Sequence, residues 1–322
     1  MKELIQPVDK KLIEKELTPD KFLRDTNNAG NELYVITHQD SPHILREIGR
    51  LRELTFRKAG GGTGLEIDLD EYDTNDNPYR QLIVWDPQEK EILGGYRFHF
   101  GGLMSRDENG KVKIATAKLF HFSDNFLYDY LPYTIELGRS FVQPTYQSTQ
   151  MGKKSMFALD NLWDGLGAIL INNPDYKYFF GKVTMYTDFE PEARNLILYY
   201  LIKHYSDHEN LMRPFHPLDT RMDRQKMASI LTADNPKDDM KILSYEVRSR
   251  GEKIPPLINA YINLSPSLRT FGTILNEHFG CVEETAILIT CADMYPSKIE
   301  RHIKSYKPKA KTDWQNGLDH LD

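Results

Sequence analysis

The sequence predicts an α/β fold built on a mixed, mostly antiparallel, twisted sheet with flanking helices and one bulged strand near its middle. Three observations carry this expectation. Gln81–Asp86 ("QLIVWD") and Glu91–Gly101 ("EILGGYRFHFG") are apolar runs joined by the turn "PQEK", which reads as an antiparallel hairpin. Thr134–Pro144 ("TIELGRSFVQP") is a further strand, followed by a helix in which Met156, Leu159, Trp163, Leu166 and Leu170 keep one face apolar. The strand Tyr178–Met185 ("YFFGKVTM") comes next, and a strand–helix–strand unit implies a parallel crossover.

Taken in order, the first 30 residues are polar and predict a short helical arm. Leu33–His38 reads as a strand. Ser41 and Pro42 supply an N-cap and a proline at the first helical position, and Ile44, Leu45, Ile48, Leu51 and Leu54 recur at helical spacing. Arg52 and Phe56 follow Ile48 in steps of four, so all three lie along one flank of that helix. Ala59–Arg80 is a glycine-rich and then acidic loop. Its cluster Gly60-Gly61-Gly62-Thr63-Gly64 follows a helix rather than a strand and lacks the lysine and hydroxyl of a phosphate loop, so it reads as a flexible hinge. Asp68, Asp70 and Asp73 lack the spacing of a calcium loop.

Beyond the central strand–helix–strand unit, Glu190–Tyr205 predicts a helix buried nearly all round. Residues 207–253 are polar and read as a helical insertion. Ser265-Pro266 is expected to open a helix carrying Leu268, Phe271, Leu275 and His278 and closed by Gly280, before a last core strand at Glu284–Met294. The organisation expected is an arm over 1–30, one elaborated domain over 31–306 with the insertion at 207–253, and a mobile tail over 307–322.

Composition narrows the function classes. The chain has 322 residues, 41 Lys plus Arg against 47 Asp plus Glu and a net charge of −6, which offers nothing for a nucleic-acid partner. No window approaches the roughly 18 apolar residues of a membrane span, and the start lacks the apolar centre of a signal peptide. Only Cys281 and Cys291 are present, so no disulfide framework or paired-cysteine zinc site is expected, and both read as packing residues. His204 and His208 have a metal-capable spacing without an accompanying glutamate and read as surface residues at a helix end. The expectation is a cytoplasmic protein without a metal, with apolar residues enough for peripheral membrane contact.

Within "TIELGRSFVQP", Glu136 and Arg139 stand three positions apart in a segment made for burial. On a regular strand they would face opposite ways. Gly138 between them marks an expected bulge that turns both charges to one face and splays the strand. Charges in such a place are either paired or functional.

A bulged strand, a helix and a parallel strand, preceded by an antiparallel pair, resemble the core of GNAT acyltransferases. The blocks "LRELTF", "EIDLDEYD", "LGGYRF", "TIELGRSFVQPTYQ", "LDNLWDGLGAIL" and "YFFGKVTM" fall in the order seen in bacterial amino-acid-lipid N-acyltransferases, the enzymes of ornithine and glycine lipids often labelled hemolysin-like. Acyl-homoserine-lactone synthases share a more distant version of the pattern. The resemblance implies transfer of a long-chain fatty acyl group, plain or 3-hydroxylated, from acyl carrier protein or CoA to the amine of a small amino acid such as glycine or ornithine, with no permanently bound cofactor. It implies Glu136 as base and Arg139 beside it, and Arg52, Phe56, Asp68, Asp70, Asp73 and Arg97 around the acceptor. Arginines would bind the acceptor carboxylate, aspartates its ammonium, and backbone amides near Phe141 and Val142 the oxyanion. The chain departs from acetyl-CoA-using relatives at Gln147–Ser155, "QSTQMGKKS", which has one glycine where a pyrophosphate cradle has several. Gln147, Gly152, Lys153 and Lys154 are the donor-side residues, and the two lysines suit an acidic carrier protein. The alternatives are a non-catalytic module that binds acyl carrier protein, and an acyltransferase acting on another amine or a lysophospholipid.

Overall fold

The computed structural model describes residues 1–147 and 153–308. They form two compact units, each assembled from separated stretches of chain: 1–115, 132–177 and the segment from 296 onward in the first, and 116–131 and 178–295 in the second.

In the first unit, α1 (Lys10–Glu16) precedes β1 (Phe22–Asp25) and β2 (Glu32–Ile36), so the N-terminal arm contributes a strand as well as a helix. Then follow α2 (Pro42–Lys58), α3 (Glu71–Thr74), β3 (Arg80–Asp86), β4 (Glu91–Phe100), β5 (Thr134–Val142) and α4 (Lys153–Asn172). The strands pair in the order β1-β2-β3-β4-β5, and each of these ladders is antiparallel. Pro42 opens α2 as its position predicts, but Ser41 makes no side-chain cap. The Glu16 carboxylate of α1 caps the helix instead, accepting from the amides of His43 (3.1 Å) and Ile44 (2.9 Å).

The two long helices take opposite faces of this sheet. A side chain at Gly165 of α4 would strike Leu82 at 2.7 Å, so α4 lies on the face of Leu82. Arg52 of α2 donates to Gln81, the neighbouring residue of β3, whose side chain points the other way. Leu82, Phe98 and Ile135, all fully buried, belong to the apolar interior of this layer. The sheet therefore has one apolar face and one that admits polar groups. The site lies on the second.

The second unit holds β6 (Tyr178–Met185), α5 (Pro191–Tyr205), α6 (Arg224–Ile230), α7 (Pro236–Ser249), α8 (Pro256–Ile262), β7 (Arg269–Asn276) and β8 (Val282–Thr290). Its main strands pair antiparallel in the order β6-β8-β7, and Phe120–Phe122 pairs with Met212–Pro214 in a separate short ladder. The segment expected to be a helix from Ser265 is the strand β7. Thr273 faces Thr285 and Thr270 faces Ile287, so β7 carries an extra residue at Phe271–Gly272, where Gly272 has φ 88°. A bulge shifts the alternation of side chains by one, and the resulting spacing imitates a helical repeat. His204 also departs from expectation: its ring is 6% exposed and meets the buried Asp239 carboxylate at 2.7 Å. Cys281 is exposed rather than packed, whereas Cys291 is buried. No helix among the described residues is long and apolar enough to cross a membrane. The end of the tail, 309–322, lies outside the described residues.

Candidate functional site

The site begins with α2 and the loop laid along it. Gly49 is required there: a Cβ would come within 2.6 Å of Ile67 and 2.8 Å of Leu69. Its carbonyl also accepts the Asp68 amide at 3.0 Å. The glycine cluster that follows α2 is pinned rather than free. Glu53, fully buried, accepts from the Thr63 amide (3.0 Å) and hydroxyl (2.8 Å), the Gly64 amide (2.7 Å) and Arg57 (2.7 Å). Burial works to raise the Glu53 pKa, but these donors together hold it below the ordinary value. Positive φ at Gly60, Gly62 and Gly64 explains the composition of the loop. Asp70 and Asp73 form a reciprocal capping box that starts α3.

The sheet presents a matching row. Gln81 faces Arg97, Arg97 faces Gly138, and His99 faces Glu136 across the ladders, so all share the α2 side, where Tyr79 joins them through its hydroxyl on Glu136. The bulge in β5 is present but displaced. Gly95 faces Phe141 and Arg97 faces Gly138, which leaves Arg139 and Ser140 together opposite Tyr96. Arg139 itself, with φ 49°, takes the left-handed conformation that Gly138 was expected to supply. That conformation costs roughly 1–2 kcal/mol for a residue with a side chain. The gain is direction: the Arg139 guanidinium reaches the polar face and donates to Asp68 at 2.9 Å.

The arginines and aspartates alternate in one row. Asp68 binds Arg139, which lies 3.7 Å from Asp70. Asp70 accepts from Arg97 at 2.7 Å, and Arg97 also reaches Asp73 at 3.2 Å. Asp73 binds Arg52 at 3.1 Å and accepts from Gln81 at 2.9 Å. Three positive and three negative charges therefore compensate within the row. Burial alone would raise the Asp73 pKa, yet Arg52 and Arg97 hold the carboxyl well below the usual carboxylate range. Arg97 keeps its charge despite burial because Asp73 and Asp70 face it. Arg52 and Asp73 are fully enclosed, whereas Arg139 (17%) and Asp70 (30%) reach the surface.

Glu136 stands beside this row, 2% exposed, with the Tyr79 hydroxyl on Oε2. Arg97 lies over the Tyr79 ring, 5.2 Å from its centre. His99 is 5.1 Å from the same ring and its Nδ1 lies 2.9 Å from the Phe100 carbonyl oxygen; burial lowers the imidazole pKa to about 4, so the ring is neutral near pH 7. Tyr79, Gln81 and His99 escaped the sequence reading. The signal that finds them is period two: 81 on one strand with 79 just ahead of it, and 97 and 99 on the next, in line with a buried arginine.

On the donor side, Gly94 and Gly95 admit the close approach of Phe141 and Val142. A Cβ on Gly94 would lie 2.4 Å from the Phe141 carbonyl oxygen. Gln143 ties the strand end by donating to the carbonyls of Leu93 (2.9 Å) and Ile92 (2.6 Å), and Gln147 donates to that of Val142. Phe56 is buried one turn beyond Arg52. Lys153 and Lys154 are the first residues of α4, and Gly152 lies outside the described residues. Among the described residues no cluster of histidine, cysteine or acidic side chains is placed to hold a metal.

Residues 51–155, which carry this site, match the acetyltransferase (GNAT) domain. The chain is 53% identical over 306 residues to a protein of Phocaeicola vulgatus called glycine N(alpha)-acyltransferase, covering 95% of this chain and 94% of that one. A protein of the same description in Bacteroides thetaiotaomicron is also 53% identical, with 95% and 91% covered. Among solved structures, the chain is similar to a CoA-dependent acyl-homoserine lactone synthase, BjaI, with SAM and isopentyl-CoA, at 10% identity and a TM-score of 0.38 over 90% of this chain and 100% of that one.

Proposed function

We propose, because this chain belongs to the GNAT acyltransferase family, that it moves a long-chain acyl group from a pantetheine thioester to the amine of glycine, as a step toward an aminolipid. The observation that carries this reading is the placement of Glu136: a buried carboxylate on the same sheet face as a charge-compensated row whose members that reach the surface are one anion, Asp70, and one cation, Arg139. A small amino-acid zwitterion offers a complementary pair of charges. Glycine is favoured over ornithine by the names of the two relatives. Glu136 takes a proton from the acceptor ammonium, the neutral amine attacks the thioester carbonyl, and the backbone near Phe141 and Val142 is the candidate for holding the oxyanion. Collapse of the intermediate forms the amide and releases the thiol. Arg52 is assigned the support of Asp73 rather than contact with the acceptor, since it is wholly enclosed. The donor is assigned to acyl carrier protein, on the departure of Gln147–Ser155 from a pyrophosphate cradle.

Purified protein supplied with glycine and a long-chain acyl thioester is expected to release thiol and form N-acylglycine, read by mass spectrometry. Glu136→Gln should lower turnover by about 10²–10⁴ with the melting temperature nearly unchanged. Full turnover of that variant at neutral pH removes the base from the mechanism. Running matched carrier-protein and CoA thioesters in the same assay assigns the donor, and a preference for CoA overturns the carrier-protein assignment.

A further inference from the structure

Tyr79 has no place in the mechanism above, yet its hydroxyl is bonded to the proposed base. The ring is 2% exposed and held from several sides: Tyr72 meets it edge-on at 5.6 Å between centres, His99 lies at 5.1 Å, and the Arg97 guanidinium lies 5.2 Å from its centre. The hydroxyl oxygen accepts the Ala115 amide at 3.1 Å. An oxygen that receives a backbone N–H on one side directs its own proton to the other partner, here Glu136 Oε2. Burial, and then the neighbouring carboxylate, push the phenol well above its ordinary pKa, so the hydroxyl remains a donor throughout the working range.

We infer that Tyr79 is the positioning residue for Glu136: a donor locked by Ala115 and by its ring contacts, which fixes the plane of the carboxylate and hence the direction in which its second oxygen points. The inference rests on Glu136 being the base. The terminal torsion of a glutamate is otherwise broad, so an unheld carboxylate spreads over many orientations. The Tyr79 bond to one oxygen narrows that freedom, and loss of alignment between a catalytic group and its substrate costs up to about 10²-fold in rate.

The test is Tyr79→Phe, which deletes one oxygen and leaves the contacts to Tyr72, His99 and Arg97. The expected result is a fall in kcat of about ten- to a hundredfold, with KM for glycine and for the acyl thioester within about twofold. Placed on a Glu136→Gln background, Tyr79→Phe should change turnover by less than about twofold, because a residue acting through another adds nothing once the other is gone. Unchanged kcat in the single variant, or losses that multiply in the double, overturns the inference. The two readings fail separately: an inactive Glu136→Gln with a fully active Tyr79→Phe removes only the role of Tyr79, while a fully active Glu136→Gln removes the base and this role with it. Should Tyr79→Phe not fold, 4-fluorophenylalanine at the same position fills the place of the hydroxyl without donating a hydrogen bond. It should lower kcat and leave both KM values alone, and an unaltered kcat overturns the inference.

Discussion

Asp73 is the most enclosed anion of the alternating row, and its environment fixes how the protein responds to acid. Its pKa is depressed in the folded state, so its contribution is complete above the ordinary aspartate value of about 4 and drains away as pH falls toward the folded value. The melting temperature should therefore drop steeply below about pH 4. Asp73→Asn leaves Arg52 and Arg97 without this buried partner, should cost about 3–5 kcal/mol at pH 7, and should flatten that acid limb so that the two curves converge at low pH. Parallel curves in a thermal-unfolding series would show that Asp73 is not the group responsible. The members of the row were legible in the sequence, because charges set among apolar residues stand out. Their partners were not. Reading the arginines as open to a carboxylate and the aspartates as open to an ammonium leaves out that they bind one another across 21 to 71 positions of chain. A left-handed arginine has no sequence mark either, which is why the bulge was placed at the glycine beside it.

Elements were read well where the period was long and unbroken. The hairpin β3–β4, α2 and α4 needed only alternation or a helical stripe. The strand β7 was misread because a bulge at Gly272 turns period two into something close to period three and a half. The glycine cluster after α2 was read as a hinge because the sequence shows its freedom and hides Glu53, which takes it away. Gly49 shows how an element serves the site. In Gly49→Ala the helix gains up to about 1 kcal/mol in propensity, while contacts of 2.6 and 2.8 Å push Ile67 and Leu69 outward. The two effects oppose each other in stability, but the displacement moves Asp68 and Asp70. The expected outcome is a melting temperature within a few degrees of the parent and a several-fold higher KM for glycine. A KM equal to the parent's, measured alongside the melting curve, would detach the loop from the acceptor site.

At the scale of the whole molecule, the first unit is closed by a segment that arrives late in the chain. The buried His302 ring meets Asp164 of α4 at 2.7 Å. Asp164 in turn accepts from the amide and side chain of Asn27, at 2.9 and 2.7 Å. Gly167 makes room, since a Cβ there would lie 2.3 Å from the His302 carbonyl oxygen. His302→Ala removes one partner of a buried carboxylate, a loss of about 1.5–3 kcal/mol. Hydrogen exchange should then quicken in β1–β5 and α4 and leave β6–β8 as protected as before. Equal loss in both units would show that His302 does not belong to the first alone. During synthesis Asn27 and Asp164 leave the ribosome long before His302. The second unit has its whole sequence once residue 295 is out, while the first, begun earlier, still lacks the segment from 296 onward. The portion that carries the proposed chemistry thus begins before the second unit and is completed after it, and until residue 302 emerges its carboxylate at 164 waits for the ring that completes it.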